Sequence, residues 1–407
     1  MEINQEYNIW KENQKKRGIN VAWVREQIKN FKVETPSWGY GNSGTRFKVF
    51  NQNGMPSTLF EKLDDAAQVN KYTGICPSVA IHIPWDKTDD YDKVKEYAES
   101  INLKIGAVNP NLFQEEEYIF GSVCNVKKEI RQKAIAHMKE CVDIARKVDS
   151  KIISLWFADG TNYPGQGDFR QRKQFMQESL KELYDYLDDD MRMLIEYKVF
   201  EPAFYHTDSA DWGMAYTFSS KLGDKAQVLV DLGHHSQGVN VEHIVAFLLD
   251  ECKIGGFHFN NRKYADDDLI VGSINPYELF LIFNELIAAE IDPKIANTTK
   301  NIAYMIDQSH CIEPKIPAMI RSVLNIQTAY AKALLVNREN LKKAQMDNNV
   351  MAAEAEVREA FEIDVRPILE SIRQEMGIQV DPMEAYLKSD YEEKKLERGV
   401  GGKVVQS

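Results

Sequence analysis

The segment "QVLVDLGHHSQG" (227–238) passes from an apolar run, Val228–Leu229–Val230, into Asp231 and then His234 and His235. A short apolar run with β-branched residues reads as a buried strand, so Asp231 stands at a strand end. Asp231 and His234, three residues apart on a glycine-containing turn, can reach one cation, and carboxylate oxygen beside imidazole nitrogen suits Mn, Zn or Co. For these residues alone, an aspartate capping a following helix beside two solvated histidines is the simpler account. The neighbouring segments change that balance. In "IEYKV" the two-residue spacing puts Glu196 and Lys198 on one face of a strand, as a plain ion pair or as a metal ligand beside an electrophile that polarises a substrate oxygen. "GFHFNNRKYADDDL" supplies His258, then Asp266 and Asp268 on one side of an extended segment. A run of three acids is usually a solvated loop, but this one follows the strand bearing His258, which returns it to the same rim. "MIDQSH" ends a further apolar run at Asp307. Glu196, Asp231, His234, His258, Asp266, Asp268 and Asp307 exceed what one octahedral ion needs, and two nearby ions sharing a carboxylate fit better.

Eight strand-like runs carry these residues: 31–35, 78–83, 104–109, 151–157, 193–199, 227–232, 254–259 and 302–307. Amphipathic helices are predicted between them, among others at 92–101, 129–148, 174–187 and 276–289. The alternation predicts an α/β fold, a (β/α)8 TIM barrel, over 31–322. A helical N-terminal extension (1–30) precedes it, and a helical C-terminal extension (323–407) follows, packed on the barrel flank or on a neighbouring subunit. Active sites of such barrels lie at the strand C-termini. Read in order, those ends are Trp38, His82, Asn109, Trp156, Glu196 with Lys198, Asp231 with His234, His258, and Asp307. Polar groups that interrupt apolar strands are costly unless paired or metal-bound, which favours the metal reading of the cluster.

With 62 acids against 50 bases and a net charge of −12, the chain repels a phosphate backbone, so no nucleic-acid partner is expected. Five cysteines without CxxC spacing indicate neither a disulfide framework nor a zinc knuckle, and point to a reducing, cytoplasmic setting. The polar N-terminus has no apolar signal core and no run approaches membrane-spanning length, so no membrane partner is expected either.

The segments "SWGYGNSGTRF" (37–47), "SVAIHIPWD" (78–86), "WFADGTNYPGQ" (156–166), "IEYKVFEPAFYHTD" (195–208), "VLVDLGHH" (228–235), "GFHFNNRKYADDDL" (256–269) and "IDQSH" (306–310) resemble, in order, those of the L-rhamnose isomerase family, in its broad-specificity bacterial branch. The wider xylose isomerase-like superfamily shares the E-x-K, acid-x-x-H and D-x-D elements. The resemblance implies aldose–ketose isomerisation of L-rhamnose and of other aldoses such as D-allose, with two divalent ions, Mn²⁺ first and Co²⁺, Mg²⁺ or Zn²⁺ as alternatives. By the same resemblance Asp231 bridges the ions. Glu196, His258 and Asp307 complete a structural site; His234, Asp266 and Asp268 complete a catalytic one. His82 and Lys198 contact the sugar, Trp38 and Trp156 wall it, and Phe47 closes a neighbouring subunit's pocket in a homotetramer. His82, Lys198 and Asp307 are then the catalytic candidates, with Asp307 as ligand or base, and with hydride shift and enediol proton transfer both open.

Two other classes compete. Phosphodiesterases of the endonuclease IV type also place Glu, Asp and His at barrel strand ends, but they need a cationic surface that this chain lacks. A non-catalytic sugar- or metal-binding barrel has no need of Lys198 beside the ions.

Overall fold

The computed structural model describes residues 2–44, 48–201 and 205–400. Phe47 lies outside them. Eight parallel strands close into a barrel in chain order: β1 (Glu34–Pro36), β2 (Ser78–Ile83), β3 (Lys104–Pro110), β4 (Ile152–Leu155), β5 (Arg192–Glu196), β6 (Ala226–Asp231), β7 (Ile254–Phe259) and β8 (Ala303–Ile306). Helices cover the outside, as the βαβ alternation requires.

Two apolar layers follow from strand alternation. Outward-facing Ile81, Val108, Ile195, Val230, Phe257 and Ile306 join the large core between barrel and helices. Inward-facing Ala80, Ala107, Leu194, Leu229 and Met305 pack together with Trp38 inside the barrel. This inner layer is the floor of the site. Two residues beyond each floor position the same face carries His82, Asn109, Glu196, Asp231 and Asp307, all lifted into the mouth. On β7 the floor position is Gly256, where a Cβ would stand 2.9 Å from Leu194 Cδ1 and 3.1 Å from the Ala303 carbonyl. The missing side chain leaves room for its neighbours beneath His258.

Strand lengths depart from the sequence reading at two informative places. β4 ends at Leu155 and β5 at Glu196, so Trp156 and Lys198 stand on loops rather than on strands. Lys198 is tied instead by its backbone N–H to the Ser209 carbonyl at 3.0 Å. Above this point Gly160–Thr161, Tyr205–Thr207 and Phe200–Glu201 form a small antiparallel sheet, too short in each strand to show a period. The helix predicted from 174 begins at Phe169 and ends at Tyr184, with Asp168 capping the N–H groups of Arg170 and Gln171. In its first turn Phe169 is exposed and Arg172 is buried, so no apolar spacing marks the start.

The barrel's last helix, Lys315–Ala333, runs unbroken through residue 323. The N-terminal helices Glu2–Lys16 and Val21–Asn30 pack against the C-terminal helix Arg366–Glu375. Arg25 donates to Glu375 Oε2 at 2.5 Å, and the Trp10 indole to the Asp364 carbonyl at 2.9 Å. Further on, Arg398 donates to Asp65 at 3.0 Å, closing the C-terminal segment onto the helix Leu59–Thr73. Both extensions therefore pack on the flank of their own barrel. No helix among the described residues is long and apolar enough to cross a membrane.

Candidate metal centre

Parallel register sets His258 of β7 opposite Asp231 of β6, and Met305, two residues before Asp307, opposite His258. Asp307 therefore stands one inward step above His258 and Asp231, and Glu196 of β5, opposite Leu229, one step below Asp231, yet their side chains converge on His258. His258 Nδ1 lies 3.3 Å from Glu196 Oε1, 3.4 Å from Asp307 Oδ2 and 3.8 Å from Asp231 Oδ2. Ligands about 2.1 Å from one octahedral ion stand about 3 Å apart when adjacent, close to this spacing. Glu196, Asp231, His258 and Asp307 form one group whose ligand atoms all lie within 4.8 Å of one another; Asp231, His234 and Asp266 form a second. Asp231 is common to both.

Hydrogen bonds hold these atoms in place. Asn260 Nδ2 donates to both oxygens of Asp231 at 3.0 and 3.1 Å, and the Gly233 N–H donates to Oδ1 at 2.7 Å. Trp38 Nε1 donates to Asp307 Oδ1 at 2.7 Å, leaving Oδ2 to face the group. His234 Nδ1 lies 3.0 Å from the Tyr197 carbonyl, which orients the ring so that Nε2 faces Asp266 Oδ2 at 3.5 Å. Lys198 Nζ donates to Asp266 Oδ2 and to Glu201 Oε2, both at 2.6 Å.

The acidic loop is a compact turn rather than an extended segment. Asn261 and Leu269 exchange backbone hydrogen bonds at 3.0 Å, and Asp267 accepts the N–H groups of Lys263 and Tyr264. With Asp267 spent on the loop's own backbone, Asp266 turns inward to Lys198 and His234. Asp268, at φ +47°, receives Asn260 Nδ2 at 3.3 Å and lies outside both ligand groups. Asn260 escaped the sequence reading, although its position two residues beyond His258 puts it on the same face.

The electrostatics are those of anions packed together. Burial pushes the Asp231 carboxyl up to about 7, with Glu196 and Asp266 adding to the effect and His234 opposing it. Burial also raises Asp307 and, well above the usual range, Asp268. His234 and His258 are buried, which lowers an imidazole, yet Asp231 and Asp266 around His234 and Glu196 and Asp307 around His258 lift them to about 10 and about 9. Asp266 is held well below the carboxylate range, against its burial, by Lys198 and His234, and Lys198 is raised correspondingly by Asp266 and Glu201. The surrounding carboxylates thus favour positive charge at both rings, as they would favour a bound cation. Asp266 Oδ1 and Asn260 Oδ1 are buried with no partner. Mixed carboxylate and imidazole donors with unsatisfied oxygens fit divalent ions of the Mn, Co or Zn kind.

Beside the cluster stands an aromatic wall. The His82 ring stacks on Trp85 at 3.8 Å between centroids and meets the edges of Trp38 at 5.6 Å and Phe113 at 5.9 Å. Phe113 packs on Trp156 at 4.8 Å, and Lys198 Nζ lies 5.0 Å from the centre of the Trp156 ring. His82 Nδ1 and Trp156 Nε1 are buried without partners. Burial, with Lys62 adding to it, holds His82 well below the usual range, so it is a neutral imidazole. Trp85 and Phe113 were not among the residues expected from sequence. His235 lies away from both groups, its Nε2 2.7 Å from the Tyr197 hydroxyl.

Residues 64–279 match the family model of the xylose isomerase-like TIM barrel. The chain belongs to that family. Over 99% of its length it is 41% identical to a probable sugar isomerase of Rhizobium meliloti, covering 95% of that protein. It is 39% identical to a probable sugar isomerase of Mesorhizobium japonicum, over 97% of this chain and 92% of that one. Among solved structures, an L-ribulose 3-epimerase superposes with a TM-score of 0.56 at 12% identity, over 75% of this chain and 98% of the other, and shares the barrel. The protein is an enzyme of the isomerase type, as its relatives and the site at its barrel mouth agree.

Proposed function

We propose that the protein is a metal-dependent aldose–ketose isomerase acting on L-rhamnose and on other aldoses such as D-allose. The observation that carries this reading is the pair of ligand groups sharing Asp231 at the barrel mouth, with Lys198 and a neutral His82 on an aromatic wall beside them. Relatives named as probable sugar isomerases along nearly the whole chain support the substrate class, and the segments quoted from the sequence favour rhamnose within it.

In this reading Glu196, His258 and Asp307 would hold one divalent ion and His234 and Asp266 the other, with Asp231 shared and Asp268, which stands outside both groups, as a further ligand of the second. When bound, such ions supply Lewis-acid polarisation of a carbonyl and its neighbouring hydroxyl and acidify a water. The chain does the rest. Lys198, kept protonated by Asp266 and Glu201, presents a cation to a substrate oxygen. His82 is held neutral and offers an unpartnered Nδ1 to a sugar hydroxyl. Trp38, Trp85, Phe113 and Trp156 cover the C–H face of the sugar and exclude bulk water. Asp307, its Oδ1 fixed by Trp38, serves as ligand or as base. We assign Mn²⁺ as the preferred ion, the cytoplasm as the setting and a homotetramer as the assembly, in which Phe47 of a neighbouring subunit closes the pocket.

The test is ketose formation from L-rhamnose, mannose, lyxose and allose with Mn²⁺ restored after chelation, followed by light scattering for the assembly. Fastest turnover of L-rhamnose is expected. A protein that epimerises ketoses and forms none from any aldose overturns the isomerase reading, and a monomer at micromolar concentration removes the role of Phe47.

A further inference from the structure

We infer that Asp86 is a positioning residue, which sets both sugar-facing rings Trp38 and His82 from behind the aromatic wall; this rests on the sugar-isomerase reading. Asp86 ends the "IHIPWD" segment and is 1% exposed, and Lys62 on the helix Leu59–Thr73 is 2% exposed. Lys62 Nζ donates to Asp86 Oδ1 at 2.5 Å. The other carboxylate oxygen, Oδ2, accepts the backbone N–H of His82 at 2.8 Å and the hydroxyl of Ser37, the residue before Trp38. The Asp86 N–H returns to the His82 carbonyl at 2.8 Å, so both backbone groups of His82 close on Asp86. Ser37 is fully buried, and its N–H is held by the Ala80 carbonyl of β2 at 2.9 Å.

A buried ion pair that only fastened a helix to a barrel would have no reason to spend its second oxygen on these two partners. His82 Nδ1 makes no hydrogen bond to the protein, so its ring is placed by the backbone beneath it and by stacking on Trp85. Trp38 in turn sets Asp307 Oδ1. One carboxylate thus governs the tilt of two walls of the sugar chamber while touching neither the sugar nor the ligand groups.

Two paired replacements separate anchoring from charge. Lys62→Met with Asp86→Asn removes both buried charges and keeps a carbonyl oxygen where Oδ2 stands. Lys62→Met with Asp86→Leu removes that oxygen as well. Melting temperature, metal content, KM, kcat and calorimetric binding of rhamnitol, an open-chain polyol that carries the hydroxyls but no carbonyl, are measured on both. Melting points close to each other and equal metal content are expected. The leucine pair should raise KM and the polyol Kd about tenfold with a smaller fall in kcat, and the asparagine pair less than about threefold. Equal polyol Kd in the two pairs overturns the inference. Should the leucine pair not fold, Ser37→Ala, which keeps the ion pair, is expected to weaken polyol binding about threefold, and unchanged binding overturns the inference. Because polyol binding is read without turnover, a wild-type protein that forms no ketose sinks the isomerase reading alone. Turnover with unaltered polyol binding in the variants sinks the anchor alone.

Discussion

Among the described residues three groups bring acid and His or Cys ligand atoms within 4.8 Å. Two share Asp231 at the barrel mouth; the third, Cys124, Asp159 and Asp208, resolves its charge differently from the Glu196 group. Around Cys124, Asp159 and Asp208 the cation is part of the chain. Arg172, 4% exposed, donates to Asp208 through Nη2 at 2.7 Å and through Nε at 3.0 and 3.1 Å. Asp159 is satisfied by Ser122 and by the Cys124 N–H, both at 2.6 Å. Burial first, then the two acids, pushes the Cys124 thiol well above its usual range. Around Glu196, Asp231, His258 and Asp307 no arginine or lysine among the described residues forms an ion pair, whereas in the adjoining group Lys198 reaches Asp266 at 2.6 Å. Ligand spacing alone does not separate a metal site from a structural ion cluster. What separates the Cys124 group from the Glu196 group is that an arginine of the chain already pairs an acid in the first and none does in the second. Glu290 shows a third outcome: burial, opposed only by the charge of Arg338, pushes its carboxyl up to about 7.

The largest expected effect is on the groups at the barrel mouth. Chelation should lower turnover by at least about a thousandfold, with Mn²⁺ or Co²⁺ restoring it better than Ca²⁺. Elemental analysis should find no more than two ions per chain, and Asp159→Asn should leave that number unchanged. Undiminished turnover in the stripped protein would erase the distinction between the clusters.

Next, Asp231→Ala should lose both ions, several degrees of melting temperature and nearly all activity, because it removes the shared ligand and leaves the remaining acids uncompensated. His234→Ala should keep one ion, melt close to the wild type and lose most turnover. Equal metal loss in the two variants would mean that the two groups are one site.

Arg172→Met reverses the situation of the other cluster. Stranding Asp208 should cost about 3 to 5 kcal/mol of stability, read as a lower melting temperature, while metal content at the barrel mouth stays the same. Unchanged melting would show that these acids need no cation.

Glu290 gives the smallest effect. Its carboxyl ordinarily titrates at 4.5 and in the folded protein at about 7. The stability contributed by the neutral form is full below 4.5 and is lost as pH rises through 7, because the unfolded chain releases the proton first. Glu290→Gln should therefore match the wild type at acid pH and exceed it by about 2 kcal/mol or less at pH 8, measured by denaturant midpoints. A variant equally stable relative to wild type at both pH values would show that burial does not perturb this group.

Eight apolar runs spaced by amphipathic stretches were enough to determine the barrel, because strand and helix periods depend on neighbours along the chain. Alternation likewise determined that Glu196, Asp231, His258 and Asp307 share an inward face, since each follows a floor residue by two. Tertiary structure alone decided how charges were matched. Cys124, Asp159, Asp208 and Arg172 come from four separate segments, so no spacing announces either the cluster or its neutralisation. The same holds for Lys62 and Asp86, and for the turn by which Asp267 caps its own loop and directs Asp266, but not Asp268, at His234. Periodicity is local and survives in a sequence, whereas the partner of a buried charge is fixed by the contacts that closure of the barrel creates.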